Sequence, residues 1–303
     1  MKKVWKIIKG VAVRFTQDDP TIYAAAIAFF TIFSLPSILS IVIYTMGSLF
    51  GEEAIRGEIS AQINDLVGEQ SAEQVEKIIE NAMLADAGIF STILSIFFLL
   101  FSATVIFNII QKALNSIWGV KPKPKQGAVK FARDRALSFV LVLILGSLLL
   151  VTILSDTAVT FFRDLIDEIW SPATTYIIRI LNFLVSFALA SLIFAITFKV
   201  LPDAKVRWKA AWIGAIFTAV LFSIGKIIIG LILTNTDITS TYGAAGSTIG
   251  ILLFVFYSSI IFMIGGEFTE VYSEEFGKAI RPKKHSVWVK KEEVEFEHKS
   301  TTR

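Results

Sequence analysis

The sequence predicts an all-α protein, a polytopic membrane bundle of six transmembrane helices with both termini in the cytoplasm. Of its 303 residues, 54% are hydrophobic and 18% are charged, whereas about 25% of the residues of a soluble domain are charged. The charged residues are gathered into short segments that separate long apolar runs. This composition and this placement of charge are typical of an integral membrane protein.

Six apolar runs are long enough to cross the hydrocarbon core of a bilayer, which takes about 20 helical residues. The predicted spans are 24–50, 88–110, 136–154, 176–200, 210–234 and 246–271. Pro36 removes a hydrogen bond within the first span, so we expect a kink there. Gly246 and Gly250 have the GxxxG spacing that allows close packing of the sixth span against a neighbouring helix.

The distribution of Lys and Arg predicts the orientation. The N-terminal segment, the connections after the second and fourth spans and the C-terminal segment carry 24 of these residues, whereas the three alternate loops carry three. Because basic loops stay in the cytoplasm, we expect a cytoplasmic segment (1–23), a transmembrane domain (24–272) and a charged, mobile cytoplasmic tail (273–303). The basic segments then face the bilayer and its anionic headgroups, so nucleic acid is not expected as a partner.

The loop between the first two spans, 51–87, is predicted to lie outside and to form two short amphipathic helices. Apolar residues recur on one helical face of its first half, and Gly68 ends that helix. Ser71 and Gln74 then resemble a capping box that begins a second helix. Two interpretations stay open: the helices pack on the ends of the spans, or they form a lid over an outward vestibule.

Ionisable and polar residues within the spans indicate two candidate sites. The first is a polar path for an ion or an anionic substrate, with Lys226 at its centre; its residues are Lys226, Asn182, Arg179, Asp237, Tyr242 and Gly243. The alternative for Lys226 is that its ammonium group extends to the outer interface. The second is an inner clamp of Glu267 with Lys112 or Asn108, for which a purely structural role is the alternative.

Residue types that support catalysis are scarce. The chain has no cysteine, and both histidines, His285 and His298, lie in the C-terminal tail. Thiolate chemistry and cysteine-ligated metals are therefore excluded. Hydrolysis of RNA usually needs a metal cluster or a histidine base, so we expect no enzyme activity, no metal and no cofactor.

Three stretches of the sequence resemble the YihY / virulence factor BrkB family of membrane proteins. The first is AAAIAFFTIFSLP at 24–36, and the second is the block from Asn108 to Trp118. The third comprises Leu201-Pro202, Val206-Arg-Trp208, Gly214, Lys226, Tyr242-Gly-Ala244 and Gly265-Gly-Glu267. The chain has Phe29-Phe30 where the family often has tyrosines.

The resemblance implies a multi-pass protein of the bacterial inner membrane with no settled substrate, and its family has carried the label ribonuclease BN. We favour a transporter or flippase of a small or amphiphilic substrate. The alternatives are a structural, envelope-organising protein that acts through the external loop and, least favoured, a membrane-bound ribonuclease. A second copy of the chain stays open as a partner.

Overall fold

The computed structural model describes residues 2–84, 89–123, 172–235, 245–276 and 279–289. Eight helices lie in this part of the chain: α1 (Lys2–Asp18), α2 (Thr21–Phe50), α3 (Glu52–Val67), α4 (Glu69–Leu84), α5 (Ile89–Ile117), α6 (Pro172–Val200), α7 (Trp208–Asn235) and α8 (Gly246–Glu275). The same ranges contain four short strands: β1 (Val120–Pro122), β2 (Ala204–Lys205), β3 (Arg281–Pro282) and β4 (Ser286–Trp288).

Three helical segments of the described ranges are long and apolar enough to cross a membrane: Phe183–Val200, Trp208–Ile232 and Gly246–Glu275. A fourth span results if Trp5–Asp18 and Thr21–Pro36, which are bent by 69°, count as one. The helical class and the membrane class are confirmed. The count of six spans and the orientation stay predictions, and the predicted third span, 136–154, lies outside the described residues.

The sharp bend in this pair lies between α1 and α2. Asp19 has a φ of 43°, and Pro20 lacks an amide hydrogen, which suits the residue at a helix start. From there α2 continues to Phe50 with Pro36 inside it. The N-terminal segment, which the sequence predicts only as a cytoplasmic extension, is thus a helix that meets the bundle at an angle.

Helices α7 and α8 pack closely through two reciprocal glycine–threonine contacts. A β-carbon on Gly214 would lie 1.9 Å from Oγ1 of Thr269, and one on Gly265 would lie 1.9 Å from Oγ1 of Thr218. Each threonine hydroxyl donates to the glycine carbonyl one turn earlier in its own helix, at 2.7 Å. Neither hydroxyl is therefore left unpaired, and the two backbones approach where only a hydrogen atom fits.

The larger core lies at the end of the bundle where α2 and α7 begin and where α5, α6 and α8 end. We call this the basic end, because it carries the Lys- and Arg-rich segments after α5, α6 and α8. Trp118 is fully buried there, and its Nε1 donates to the carbonyl of Gly266 on α8 at 3.1 Å. Its ring also contacts Phe198 of α6 edge-on. One side chain thus joins three helices.

The opposite end of the bundle carries α3 and α4. Their apolar faces are buried in a second cluster with α2 and α8, which contains Leu39, Ile43, Ile55, Ile59, Val75, Ile79 and Ile251. The Ser71 hydroxyl also donates to the carbonyl of Ser247 at 3.4 Å. The predicted loop thus contains two helices, and they pack on the ends of the long helices, as in the first of the two interpretations. Their position outside the membrane stays a prediction.

The segment that follows α8 returns to the bundle. β4 pairs antiparallel with β1, and β3 pairs antiparallel with β2. The Lys283 ammonium group donates to the carbonyls of Pro202, at 2.6 Å, and Val200, at 3.3 Å. The expectation of a mobile tail is therefore wrong for residues 281–288, because their backbone groups find partners in the connections after α5 and α6.

Candidate functional site: a polar pocket at the basic end

The last three turns of α5 carry a continuous polar face on an otherwise apolar helix. Residues at positions i, i+3, i+4, i+7 and i+8 lie on one side of a helix, and here they are Asn108, Gln111, Lys112, Asn115 and Ser116. The helix ends at Ile117, and Gly119, two residues later, has a φ of 57°, a left-handed conformation that suits glycine. This turn directs the chain into β1, so that the polar face borders a strand instead of another helix.

A cavity of about 500 Å³ opens along this face. We call it the polar pocket; it is lined by Tyr23, Asn108, Gln111, Lys112, Asn115, Ser116, Gly119, Val120, Lys121, Pro122, Asp203 and Val289. Its volume lies within the range of about 300–1,000 Å³ found for small-molecule sites. Its walls come from α2, from α5 and β1, from the turn after α6 and from the end of β4.

Asp203, which is buried, organises one side of the polar pocket. Nδ2 of Asn115 and Nε2 of Gln111 both donate to its Oδ2, at 2.9 and 3.4 Å. The Asp203 amide donates in turn to Oδ1 of Asn115 at 2.8 Å, and Nε2 of His285 lies 2.9 Å from Oδ1 of Asp203. The carboxylate is thus fully engaged by side chains of the protein, as a buried charge requires.

The C-terminal segment holds this arrangement in place. The Lys283 amide donates to the carbonyl of Asp203 and the Lys123 amide to that of His285, each at 2.9 Å. The Val289 amide donates to the carbonyl of Gly119 at 2.8 Å. Three backbone hydrogen bonds and the His285 side chain therefore fix one border of the polar pocket.

The electrostatic character of the polar pocket follows from which charges are already paired. Asp203 is held by three side-chain partners, whereas Lys112 and Lys121 are exposed at the rim. Lys112 and the amide of Asn108 have no hydrogen-bond or ion-pair partner among the described residues. The groups available to a solute are therefore amide and ammonium donors, which bind anionic and polar molecules.

The structure separates the residues of the predicted inner clamp. Asn108 and Lys112 both line the polar pocket, but Glu267 is fully buried in α8, with Asp18, Glu270 and Arg14 as its electrostatic neighbours. Glu267 is thus placed against α1 and not with Lys112.

The predicted polar path lies mostly outside the described part of the structure. Asp237, Tyr242 and Gly243 are not among the described residues, and of Arg179 and Asn182 only the backbone, in α6, is described. Lys226 is half-buried in α7, next to Gly225, which packs against Tyr257 and Ile261 of α8. Gly246 and Gly250 are both buried at the start of α8.

Sequence reasoning missed Asp203, His285, Gln111 and Asn115 as members of one site. The polar spacing on α5 was a readable signal, because five polar residues on one helical face in an apolar helix indicate a lined cavity or a polar contact. No comparable signal exists for His285. It lies in a charged segment without periodicity, and only the pairing of β4 with β1 brings it to Asp203.

The long apolar helices, with a polar pocket at one end, define a helical integral membrane protein. The chain belongs to the family described as virulence factor BrkB, whose sequence profile matches residues 11–288. The resemblance found in the three sequence stretches is thereby confirmed.

Proteins similar to this chain are named as UPF0761 membrane proteins. One from Acinetobacter baylyi is 26% identical over 275 residues, covering 88% of this chain and 62% of the relative. One from Psychrobacter is 28% identical, covering 84% and 46%, and one from Vibrio vulnificus is 24% identical, covering 88% and 82%. The chain thus spans about half to two thirds of the length of the first two. No solved structure matches it.

Proposed function

We propose that this protein is a transporter of the bacterial inner membrane that binds a small anionic solute in the polar pocket. The observation that carries the proposal is the lining of a cavity of about 500 Å³. Its one carboxylate, Asp203, is paired within the protein, whereas the Lys112 ammonium group and the Asn108 amide have no partner among the described residues. Ionisable residues of transmembrane helices that face a cavity often mark substrate or ion pathways. The Lys and Arg distribution predicts that the basic end, and so the pocket, faces the cytoplasm.

The packing of α3 and α4 bears on the alternative, an envelope-organising protein. That function would need an exposed apolar surface on the two helices, whereas Ile55, Ile59, Val75 and Ile79 are buried against the long helices. The observation therefore favours transport. The proposal also takes the chain not to be an enzyme. RNA incubated with the purified protein should therefore stay intact.

The test begins with binding. Purified protein is screened by thermal unfolding in detergent against small carboxylates, organic phosphates and amino acids. A solute that binds in the polar pocket should stabilise the wild type and lose this effect in Lys112→Gln, because that ammonium group is exposed at the pocket. Lys205→Gln is the matched control, since Lys205 is also exposed at the basic end but lies outside the pocket lining.

Transport itself is tested by counterflow in proteoliposomes with each solute that binds. The proposal expects wild-type protein to accumulate labelled solute against an internal excess of unlabelled solute, and Lys112→Gln to do so more slowly. If a solute binds but no counterflow is seen, the protein binds the solute without transporting it, and the proposal of transport is refuted. A panel in which only cations or neutral solutes stabilise the protein would refute the anionic assignment.

A further inference from the structure

A second, smaller cavity lies at the basic end, at the beginning of α7. It has a volume of about 200 Å³ and is lined by Arg207, Lys209, Ala210, Tyr272, Ser273 and Phe276. We call it the α7–α8 cleft, because it lies between the first residues of α7 and the last turn of α8. Its volume is below the range of about 300–1,000 Å³ for sites that enclose a whole small molecule. It therefore suits a compact group that belongs to a larger molecule.

The cleft carries a net positive charge. Arg207 and Lys209 are both exposed, and neither has a carboxylate partner among the residues that the structure describes. The two acidic residues in the last turn of α8 are paired with α1: Glu274 with Arg14, and Glu275 with Lys6, each at 2.5 Å. Arg207 and Lys209 are thus left to bind an external anion, and a guanidinium beside an ammonium group suits a phosphate.

The surroundings of the cleft place it at the level of lipid headgroups. Trp208, between the two cations, is 52% exposed, and Trp212, one turn later, is 38% exposed. The same side of α7 continues with exposed apolar residues at helical spacing, which are Ile216, Val220, Ile224, Ile227 and Leu231. Exposed tryptophans at the end of such a stripe mark the interface between hydrocarbon and headgroups. The two cations therefore lie where the phosphates of the bilayer lie.

Tyr272 and Phe276 close the other side of the cleft. Their rings stack at 4.7 Å, and Phe276 is 50% exposed, so it offers an apolar surface beside the two cations. Lys199, whose ammonium group lies 5.5 Å from the centre of the Trp208 ring, adds a further positive charge nearby. The combination of cations, an apolar edge and a headgroup-sized volume is that of a lipid site.

We propose that the α7–α8 cleft binds the phosphate group of an anionic glycerophospholipid from the surrounding membrane. The proposal does not depend on transport. The lipid would join the first residues of α7 to the last turn of α8 from outside, at the end of the helix pair whose middle is held by the glycine–threonine contacts.

The test is native mass spectrometry of the purified protein in detergent, titrated with phosphatidylglycerol or with zwitterionic phosphatidylcholine. The variant Arg207→Gln/Lys209→Gln should bind phosphatidylglycerol about 30-fold more weakly than the wild type, taking about 1 kcal/mol for each basic residue. The matched control is Lys205→Gln/Arg281→Gln, which removes two exposed cations from the β2–β3 pair at the same end and should change the affinity less than two-fold.

The outcomes are distinct. Equal losses in both double variants would show a general charge effect and overturn the site, and so would equal binding of the two lipids by the wild type. Displacement of bound lipid by inorganic phosphate alone would indicate that the cleft binds free phosphate, and would overturn the proposal of a lipid site. If the double variant does not fold, Lys209→Gln is compared with Lys205→Gln, and a loss of about five-fold is expected for the former only.

Discussion

Asp203 and His285 are 82 residues apart in the chain, yet Nε2 of His285 lies 2.9 Å from Oδ1 of Asp203. The contact joins the turn after α6 to the C-terminal segment, and Asn115 and Gln111 of α5 bind the other oxygen of the same carboxylate. Three separate parts of the sequence thus meet at one buried group. The shape of the polar pocket depends on that group, because it fixes β4 at the pocket's border.

Replacement of Asp203 should therefore destabilise the protein strongly. In Asp203→Ala the buried amides of Asn115 and Gln111 lose their acceptor, and we expect a loss of about 3 kcal/mol in the free energy of unfolding. Chemical unfolding in mild detergent measures this. The neighbouring Lys205→Ala, at an exposed position, should change the free energy of unfolding little. If Asp203→Ala caused an equally small loss, the carboxylate would not be what holds the pocket together.

The glycine–threonine contacts predict a coupled pair of substitutions. Gly265→Ala should cost about 1–3 kcal/mol, because its new methyl group would overlap Thr218. Adding Thr218→Gly should recover part of that loss, since it removes the overlapping atoms. Gly230→Ala is the control in α7: no atom lies within 4 Å of its β-carbon, so the higher helix propensity of alanine should stabilise it slightly. Additive effects of Gly265→Ala and Thr218→Gly would argue against direct contact.

Arg14 is the more buried of the two α1 cations that pair with α8. Arg14 pairs with Glu270 at 2.6 Å and with Glu274 at 2.5 Å, and Glu270 is mostly buried. Arg14→Gln leaves that carboxylate without its partner, so we expect a loss of about 2 kcal/mol and faster cleavage of α1 by trypsin at Lys9. Lys6→Gln removes a more exposed pair and should cost less than about 1 kcal/mol. Equal cleavage rates for the two variants would contradict this assignment.

Trp118 offers a test of the core at the basic end. Trp118→Phe removes the donor to the carbonyl of Gly266 and reduces the volume of a fully buried side chain, with an expected loss of about 2 kcal/mol in the free energy of unfolding. Trp288→Phe is the control, since Trp288 is 55% exposed. A similar small effect for both substitutions would mean that the hydrogen bond and the buried ring contribute little.

The sequence allowed the helices to be predicted well and the site poorly. Hydropathy placed a helix over 24–50, and the structure has α2 at Thr21–Phe50; the predicted 246–271 corresponds to α8, Gly246–Glu275. Such agreement follows because a bilayer requires long apolar runs and helical hydrogen bonding.

The site was harder to predict because its members are joined by tertiary contacts. Depth along the helices suggested that Glu267 could meet Lys112, but depth says nothing about rotation around the helix axis. Glu267 faces α1, whereas Lys112 lines the polar pocket. His285 lies in a segment whose charge predicts mobility. That segment is held in place by two short strand pairs, which have no hydrophobic pattern that could be recognised in the sequence.

The most direct test of the central claim is the accessibility of the polar pocket from the cytoplasm. The chain has no cysteine, so Asn108→Cys can be probed with a membrane-impermeant thiol reagent in everted vesicles. Phe101→Cys, an exposed apolar position earlier on α5, is the lipid-facing control, and Lys205→Cys is the accessible one. The proposal predicts that Asn108→Cys is labelled like Lys205→Cys and is protected by a solute that binds. If Asn108→Cys is as unreactive as Phe101→Cys while Lys205→Cys reacts, the pocket is closed to the cytoplasm and the proposed function is contradicted.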